Sequence, residues 1–292
     1  MSLSTASAVA AAQSLAREHG LETEPVVLAD RSNLVLHLAP HPLVARVAMA
    51  TSVVRVGMEW LHREVELSRF LHARGAFVTR PNERVDPGPV ERDGMIISLW
   101  ELEDVRGACD PSLVGSRLAH AHRLLAELPE GVVPEWAGWT EARVVLERAL
   151  TSPHLDADER RRLQDAWERG ERVVESARAR TASFQAVHGD AHLRNVIASA
   201  RGPLWTDWED AFLGPVEWDL ACLTSRAVLF GEERDAIEAA LSAYDAPYDP
   251  DLARDLGLVR NLQVIPWLAV FAERDPALVP RMHARVDRLP AQ

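Results

Sequence analysis

The first hundred residues alternate between short apolar runs and turn signals. Residues 26–29, 34–38 and 44–48 predict three strands, with turns supplied by residues 30–33 and 39–42. Residues 56–74 repeat apolar side chains near helical spacing and are followed by Gly75, which predicts a helix that ends there. Two further strands are expected at roughly 82–91 and 94–101, around the Asp93-Gly94 turn. These elements predict a small lobe built on an antiparallel sheet.

Beyond residue 103 the pattern becomes helical. The segments with helical character are 112–128, 140–150, 156–180, 216–230, 231–243 and 251–272. The first twenty residues also predict a helix, with Ser4 or Thr5 as its N-cap. The chain has no internal repeat and no long linker. We therefore expect an α+β fold with two lobes, a sheet-containing lobe over residues 1–103 and a larger, mainly helical lobe over residues 104–292.

Composition narrows the classes of partner. The chain has 292 residues, 47% of them hydrophobic, and a formal net charge of −12, which argues against nucleic-acid binding because phosphate backbones need a basic face. The charge is compatible with a cationic small substrate, but the pattern favours a solvated acidic surface. No apolar run reaches eighteen residues, so no membrane span is predicted. Only Cys109 and Cys222 occur, which fits a reducing, cytoplasmic location.

The densest group of polar side chains lies in the stretch VHGDAHLRNVIASARGPLWTDWEDA, residues 187–211. Asp190 and Asn195 have the D-x-x-x-x-N spacing of the catalytic loop of protein kinases, and Asp207 follows seventeen residues after Asp190. Carboxylate and amide oxygens are the ligands that Mg²⁺ prefers, usually one or two from protein with phosphates and waters completing the shell. The spacing therefore indicates phosphoryl transfer.

Both motifs together resemble the aminoglycoside phosphotransferase/choline-kinase-like family, small-molecule kinases with a protein-kinase-like fold. The H-G-D-x-H-x-x-N motif is matched by His188, Gly189, Asp190, His192 and Asn195, and the downstream aspartate by Asp207. The resemblance implies that Asp190 is the catalytic base and that Asn195 and Asp207 are metal ligands. It also implies ATP, with GTP left open, and Mg²⁺ as cofactors.

Neighbouring polar residues have other expected roles. His188 and His192 are expected to brace the loop, and Asp219 resembles the buried aspartate that accepts backbone N–H bonds from it. Glu209 and Asp210 leave two interpretations open, a solvated turn or an acidic rim that contacts a cationic acceptor. Trp267 is a further candidate for the acceptor site, although aromatic residues at helical spacing usually belong to a core.

The sheet lobe departs from the kinase pattern at one position. The third strand carries Arg46 where such kinases have lysine, and the chain contains no lysine at all. We expect Arg46 to pair with Glu64, with Glu59 as the alternative. The turn near Ser32 and Asn33 lacks a glycine-rich motif but is the candidate for covering nucleotide phosphates. By the resemblance, the connection at Leu99, Trp100 and Leu102 meets adenine.

These observations predict a Mg²⁺-dependent transfer of the γ-phosphate of ATP or GTP to a hydroxyl of a small molecule. The acceptor is an aminoglycoside or other antibiotic, or an amino alcohol or sugar metabolite, so that a role in resistance and one in metabolism both stay open. One alternative is a pseudokinase that binds nucleotide as a regulatory module. Another is a metal-dependent hydrolase that uses the His188-x-Asp190-x-His192 cluster. The oligomeric state is left as monomer or homodimer.

Overall fold

The chain forms two compact units in the computed structural model, which describes residues 4–30, 33–49 and 57–290. The N-terminal unit comprises Met1–Cys109 and Val196–Glu209, and the C-terminal unit comprises Asp110–Asn195 and Asp210–Gln292. The sequence predicts one boundary at residue 103, whereas the hairpin at 196–209 also belongs to the first unit. Backbone bonds explain this, because Arg106 donates to Ala198 and Ala200 donates to the Asp104 carbonyl.

The N-terminal unit is built on a five-stranded antiparallel sheet of order β1-β2-β3-β5-β4. Its strands are β1 Glu24–Asp30, β2 Asn33–Ala39, β3 Leu43–Ala48, β4 Val90–Arg92 and β5 Met95–Glu101, and its helices are α1 Thr5–Glu18 and α2 Glu59–Ala73. The predicted strand at 82–91 is wrong except at its end. Asn82 Oδ1 instead accepts the N–H groups of Arg84 and Val85, both at 2.9 Å, and this local turn replaces strand pairing.

Alternation along β3 decides which side chains meet which helix. Leu43, Ala45 and Val47 belong to the core that contains α1, whereas Val44 and Ala48 pack with side chains of α2. Successive residues of a strand point to opposite faces of its sheet. Arg46 therefore shares the face of Val44 and Ala48, which is the face that α2 covers.

The C-terminal unit is mainly helical. Its helices are α3 Pro111–Leu125, α4 Ala137–Leu150, α5 Ala157–Arg180, α6 Glu217–Phe230, α7 Arg234–Ser242, α8 Pro250–Ala272 and α9 Val279–Val286. Strands β6 Phe184–Val187 and β9 Phe212–Pro215 pair in this unit, and β7 Val196–Ser199 pairs with β8 Gly202–Trp205 in the other. The predicted α+β class, with a sheet in the N-terminal part and helices after it, is confirmed. Within the described ranges, no helix has the length and apolar character needed to cross a bilayer.

Two glycines in helices of the C-terminal unit make opposite predictions for stability. A Cβ at Gly115 in α3 would overlap the carbonyl oxygen of Ala240 in α7, whereas a Cβ at Gly257 in α8 has no atom within 4 Å. We expect Gly115→Ala to lower the free energy of unfolding by about 1–3 kcal/mol through overpacking. Gly257→Ala, the matched control, should raise it by about 0.5–1 kcal/mol because alanine favours helix. Urea unfolding measures both, and equal effects would contradict the close packing of α3 on α7.

Candidate functional site

Arg46 is the centre of a charged cluster in the N-terminal unit. It is 8% exposed, and its guanidinium forms ion pairs with Glu64 of α2, with Asp207 and, at 2.6 Å, with Glu209. The amide oxygen of Asn33, in the orientation that satisfies both groups, accepts from Arg46 Nη2 at 2.6 Å. Three carboxylates therefore converge on one cation.

The acids around Arg46 keep it protonated. Burial by itself would lower the pKa of Arg46, but the carboxylates of Asp207, Glu64 and Glu209 outweigh burial and raise it. Arg46 consequently stays charged. Glu64 is buried and Glu59 is exposed, so Glu64 is the partner of Arg46.

Asp207 has the geometry of a functional position. It follows β8, its backbone adopts φ 69°, and its side chain is 30% exposed. A left-handed backbone costs a non-glycine residue about 1–2 kcal/mol, although aspartate tolerates it better than most. Asp207 and Glu209 both offer carboxylate oxygens beside Arg46. This donor set fits a hard divalent cation that takes its remaining ligands from phosphate and water.

A buried carboxylate holds the loop that follows β6 in the C-terminal unit. Asp219 of α6 is fully buried and accepts the backbone N–H of His188 at 2.7 Å and that of Gly189 at 2.9 Å. The indole N–H of Trp218 donates to the Gly189 carbonyl at 2.8 Å. Gly189 has φ +84°, and a Cβ there would overlap the carbonyl oxygen of Asp210. Only glycine fits this turn.

His122 of α3 completes the anchor and is absent from the sequence prediction. Its Nε2 lies 2.8 Å from Asp219 Oδ2, and its Nδ1 lies 2.7 Å from the Tyr244 hydroxyl. Burial raises the pKa of Tyr244, so this hydroxyl keeps its proton. The sequence signal for His122 is weak, because a histidine in a segment of helical periodicity gives no indication of a partner about one hundred residues away.

Asp190 forms a partly buried ion pair with Arg260 of α8; the two side chains are 20% and 14% exposed. Burial alone would raise the pKa of Asp190, but the Arg260 guanidinium and, to a smaller extent, His192 outweigh it and hold that pKa below its usual range. Asn195 Nδ2 donates to the Asp190 carbonyl at 3.0 Å. The Oδ1 atom of Asn195 can therefore act as an oxygen ligand, the kind that a hard cation prefers.

The two loop histidines lie against Asp190. His188 is fully buried, and its Nδ1 accepts the N–H of Asp190 at 3.3 Å. His192 Nε2 is 3.5 Å from Asp190 Oδ2. Within residues 4–30, 33–49 and 57–290, no three His, Cys, Asp or Glu side chains form a group that could hold a metal ion. The His-x-Asp-x-His arrangement therefore has the geometry of a braced loop, which does not favour a metal-dependent hydrolase.

The structure describes all but one of the predicted nucleotide contacts. Ser32 lies outside the described residues, and Asn33 is buried against Arg46 and Glu209. The N–H groups of Leu99 and Leu102 donate to the carbonyls of Pro87 and Pro42, at 2.9 and 3.1 Å. Leu99 belongs to β5, which ends at Glu101, and Leu102 follows it. Trp100 is a buried residue of the same strand.

The three residues predicted to contact the acceptor lie in different environments. Glu209 is only 4% exposed and pairs with Arg46, so it is not part of a solvated turn or an exposed acidic rim. Asp210 is half-buried. Trp267 packs at the edge of the helical core, with its ring 5.7 Å from that of Phe271. The sequence suggests a solvated turn or an acidic rim because both acids lie just past Asp207, but it does not show that Glu209 meets Arg46.

A sequence comparison identifies the family. Residues 27–258 match the family described as phosphotransferase enzyme family. The chain belongs to the phosphotransferase enzyme family. The predicted family resemblance and enzyme class are thereby confirmed. No curated protein matches this phosphotransferase.

Solved structures share the fold of this phosphotransferase at low sequence identity. The microcompartment-associated aminopropanol kinase superposes with a TM-score of 0.71 and 17% identity, over 95% of each chain. Amicoumacin kinase hAmiN, in complex with AMP-PNP, Ca²⁺ and Ami, gives 0.67 and 15%, over 95% of this chain and 94% of that one. APH(2")-IIia, with GDP and kanamycin, gives 0.67 and 16%, over 94% and 96%. The kinase-like fold is thereby confirmed.

The Asp190–Arg260 pair predicts a specific pH dependence of stability. In Arg260→Met the carboxylate loses its cation, so burial raises its pKa and the variant should be less stable by about 3–5 kcal/mol at pH 7. In the wild type the pKa is depressed, so the contribution of Asp190 is present above the unfolded value of about 3.9 and is lost as pH falls through the folded one. The deficit should therefore be constant from about pH 8 to pH 6 and shrink at lower pH.

Urea unfolding across this pH range measures the deficit. Arg123→Met is the matched control, because Arg123 pairs with Asp245 at the exposed surface of the same unit. It should change the free energy of unfolding by no more than about 1 kcal/mol. A loss of unfolding free energy in Arg260→Met as small as that in Arg123→Met would contradict a stabilising ion pair between Asp190 and Arg260.

Proposed function

We propose that this phosphotransferase moves the γ-phosphoryl group of ATP, or of GTP, to a hydroxyl of a small molecule with Mg²⁺ as cofactor. The observation that carries the proposal is the Asp190 loop, in which the carboxylate pairs with Arg260 and the backbone is held by Asp219. Family membership supports it. The solved relatives named for aminopropanol, amicoumacin and kanamycin support a small acceptor.

Asp190 is proposed to orient the acceptor hydroxyl and receive its proton. The acceptor oxygen forms a bond to the γ-phosphorus, the bond from that phosphorus to the nucleoside diphosphate breaks, and the diphosphate leaves with the electron pair. Arg260 keeps the carboxylate a weak base. A loose transition state needs a positioned hydroxyl more than early deprotonation, so a weak but fixed base suits the chemistry.

Arg46 and Glu64 are proposed to serve the nucleotide phosphates. A guanidinium can bind phosphate through two parallel N–H bonds, and it keeps its charge when buried. Asp207 and Asn195 would hold the metal ion, which when bound neutralises charge on the phosphate oxygens. Arg46 preserves the cation and its pairing with Glu64, so loss of lysine does not by itself favour the pseudokinase alternative.

Nucleotide binding tests the assignment of Asp207. With Mg²⁺ and a non-hydrolysable ATP or GTP analogue at about one hundred times Kd, we expect the melting temperature to rise by roughly 5 °C. Asp207→Asn keeps the size of the side chain but removes its charge, so the shift should vanish. Asp158→Asn, at an exposed acid of α5, is the control and should retain it. Absence of any shift with either analogue in the wild type would contradict the proposal.

Arg46 can be tested separately from the metal. Arg46→Met removes the cation and should weaken nucleotide affinity about 10- to 100-fold, the size of a charged hydrogen bond. Arg46→Lys restores a cation and should lose less affinity than Arg46→Met. Isothermal titration with the same analogue measures both variants. Equal affinities in wild type and Arg46→Met would show that Arg46 does not contact phosphate.

A further inference from the structure

A cluster of arginines lies beside the Asp190 loop in the C-terminal unit. In a chain of net charge −12 this concentration of positive charge is local. The members come from the loop itself, from α6, from α8 and from α9, and each affects the pKa of another member or bonds to Asp190. We call this group the arginine cluster; it consists of Arg194, Arg226, Arg260, Arg281 and Arg285.

Helical geometry brings the side chains together. Arg281 and Arg285 are one turn apart on α9, so they share a face. The guanidinium of Arg285 lies 5.4 Å from the ring of Phe230, which is one turn from Arg226 on α6. Arg285 Nη1 donates to Asn261 Oδ1 at 2.9 Å, and Asn261 directly follows Arg260 on α8.

Arg285 is a buried cation without a carboxylate partner. It is 4% exposed, and among the described residues neither it, Arg281 nor Arg194 has a carboxylate within 4 Å. Burial, together with Arg260, Arg281 and Arg226, lowers the pKa of Arg285 to about 9. Its Nε is buried and makes no hydrogen bond to any described residue.

The ion pairs near the cluster involve only two of its members. Arg260 pairs with Asp190, and Arg226 pairs with Glu232 and, at 3.5 Å, with Glu233. The carboxylates of Asp210 and Asp219 also raise the pKa of Arg260. Among the described residues, none of these acids forms an ion pair with the buried guanidinium of Arg285. Holding a buried cation unpaired is costly, and an anion placed among the arginines would remove that cost.

We propose that the arginine cluster binds the anionic group, a carboxylate or a phosphate, of the hydroxylated acceptor whose hydroxyl meets Asp190. This inference rests on the proposed function for the role of Asp190. Guanidinium groups match carboxylate and phosphate geometry with paired N–H bonds. It differs from the expectation of a cationic acceptor, which rested on the net charge and on an acidic rim at Glu209 and Asp210; the structure buries Glu209.

The first test uses inorganic phosphate as the probe. Melting temperatures are measured in phosphate and in chloride of equal ionic strength, with Mg²⁺ and the non-hydrolysable nucleotide already saturating. A shift of about 2–4 °C is expected in the wild type when phosphate is at roughly ten times Kd. The shift should fall below half in Arg281→Glu, which alters an exposed position, and in Arg285→Met.

A matched control separates the effect of the arginine cluster from the loss of any arginine. Arg254 is an exposed arginine of α8 outside the cluster, and Arg254→Gln should keep the full shift. Without phosphate, Arg285→Met should melt at or above the wild-type temperature, because it removes an unpaired buried charge. No phosphate shift in the wild type, or a full shift retained in Arg281→Glu, would overturn the proposal.

The second test compares one sugar skeleton carrying different charges. Glucuronate and glucose 6-phosphate should raise the melting temperature of the wild type more than glucose or glucosamine does, and Arg281→Glu should abolish the difference. A shift with glucosamine equal to or larger than that with glucuronate would overturn the proposal. The nucleotide shift is recorded in the same series. If the nucleotide shift is absent while the phosphate shift is retained and depends on Arg281, the result would count against the proposed function and not against the anion site.

Discussion

The fully buried carboxylate of Asp219 is the constraint on which the candidate chemistry depends. Its oxygens receive the N–H groups of His188 and Gly189 and the ring of His122, so its desolvation is offset by three polar partners. These bonds set the backbone just before Asp190. With Gly189 in a conformation that only glycine tolerates, the following carboxylate meets Arg260. A helix residue thirty positions away therefore determines where the proposed base lies.

Each compact unit pairs an arginine with carboxylates of its candidate site. In the N-terminal unit Arg46 pairs with three carboxylates, whose oxygens suit a divalent cation. In the C-terminal unit Arg260 pairs with one carboxylate and lies near Arg285, which has no carboxylate within 4 Å among the described residues. The proposed metal-bound nucleotide would use the acids, and the proposed anionic acceptor would use the arginines. The absence of lysine makes every such cation a planar group with fixed donor directions.

Most of the site residues that the sequence predicts are identified by their spacing along a short segment of the chain. Asp190, Asn195 and Asp207 stand out because their separation along the chain is itself the signal, and Arg46 with Glu64 follows from a strand and the next helix. His122, Arg260 and Arg285 could not be found this way, since each meets its partner from a helix distant in sequence. The exposed position expected for Glu209 rested on its place just past Asp207, but its side chain pairs with the buried Arg46 from a distant strand. The strand predicted at 82–91 failed because one asparagine side chain captured the backbone locally.

Acceptor-dependent release of nucleoside diphosphate is the most direct test of phosphoryl transfer through Asp190. The measurement compares wild type with Asp190→Asn across a panel of hydroxylated acids, sugar phosphates, polyols and amino alcohols, with folding of the variant verified by its nucleotide-induced melting shift. We expect release that requires an acceptor in the wild type and falls by about 10²–10⁴-fold in Asp190→Asn, the usual contribution of a positioned base. Acceptor-dependent release in Asp190→Asn within about tenfold of wild type, a loss smaller than such a base accounts for, would contradict the account.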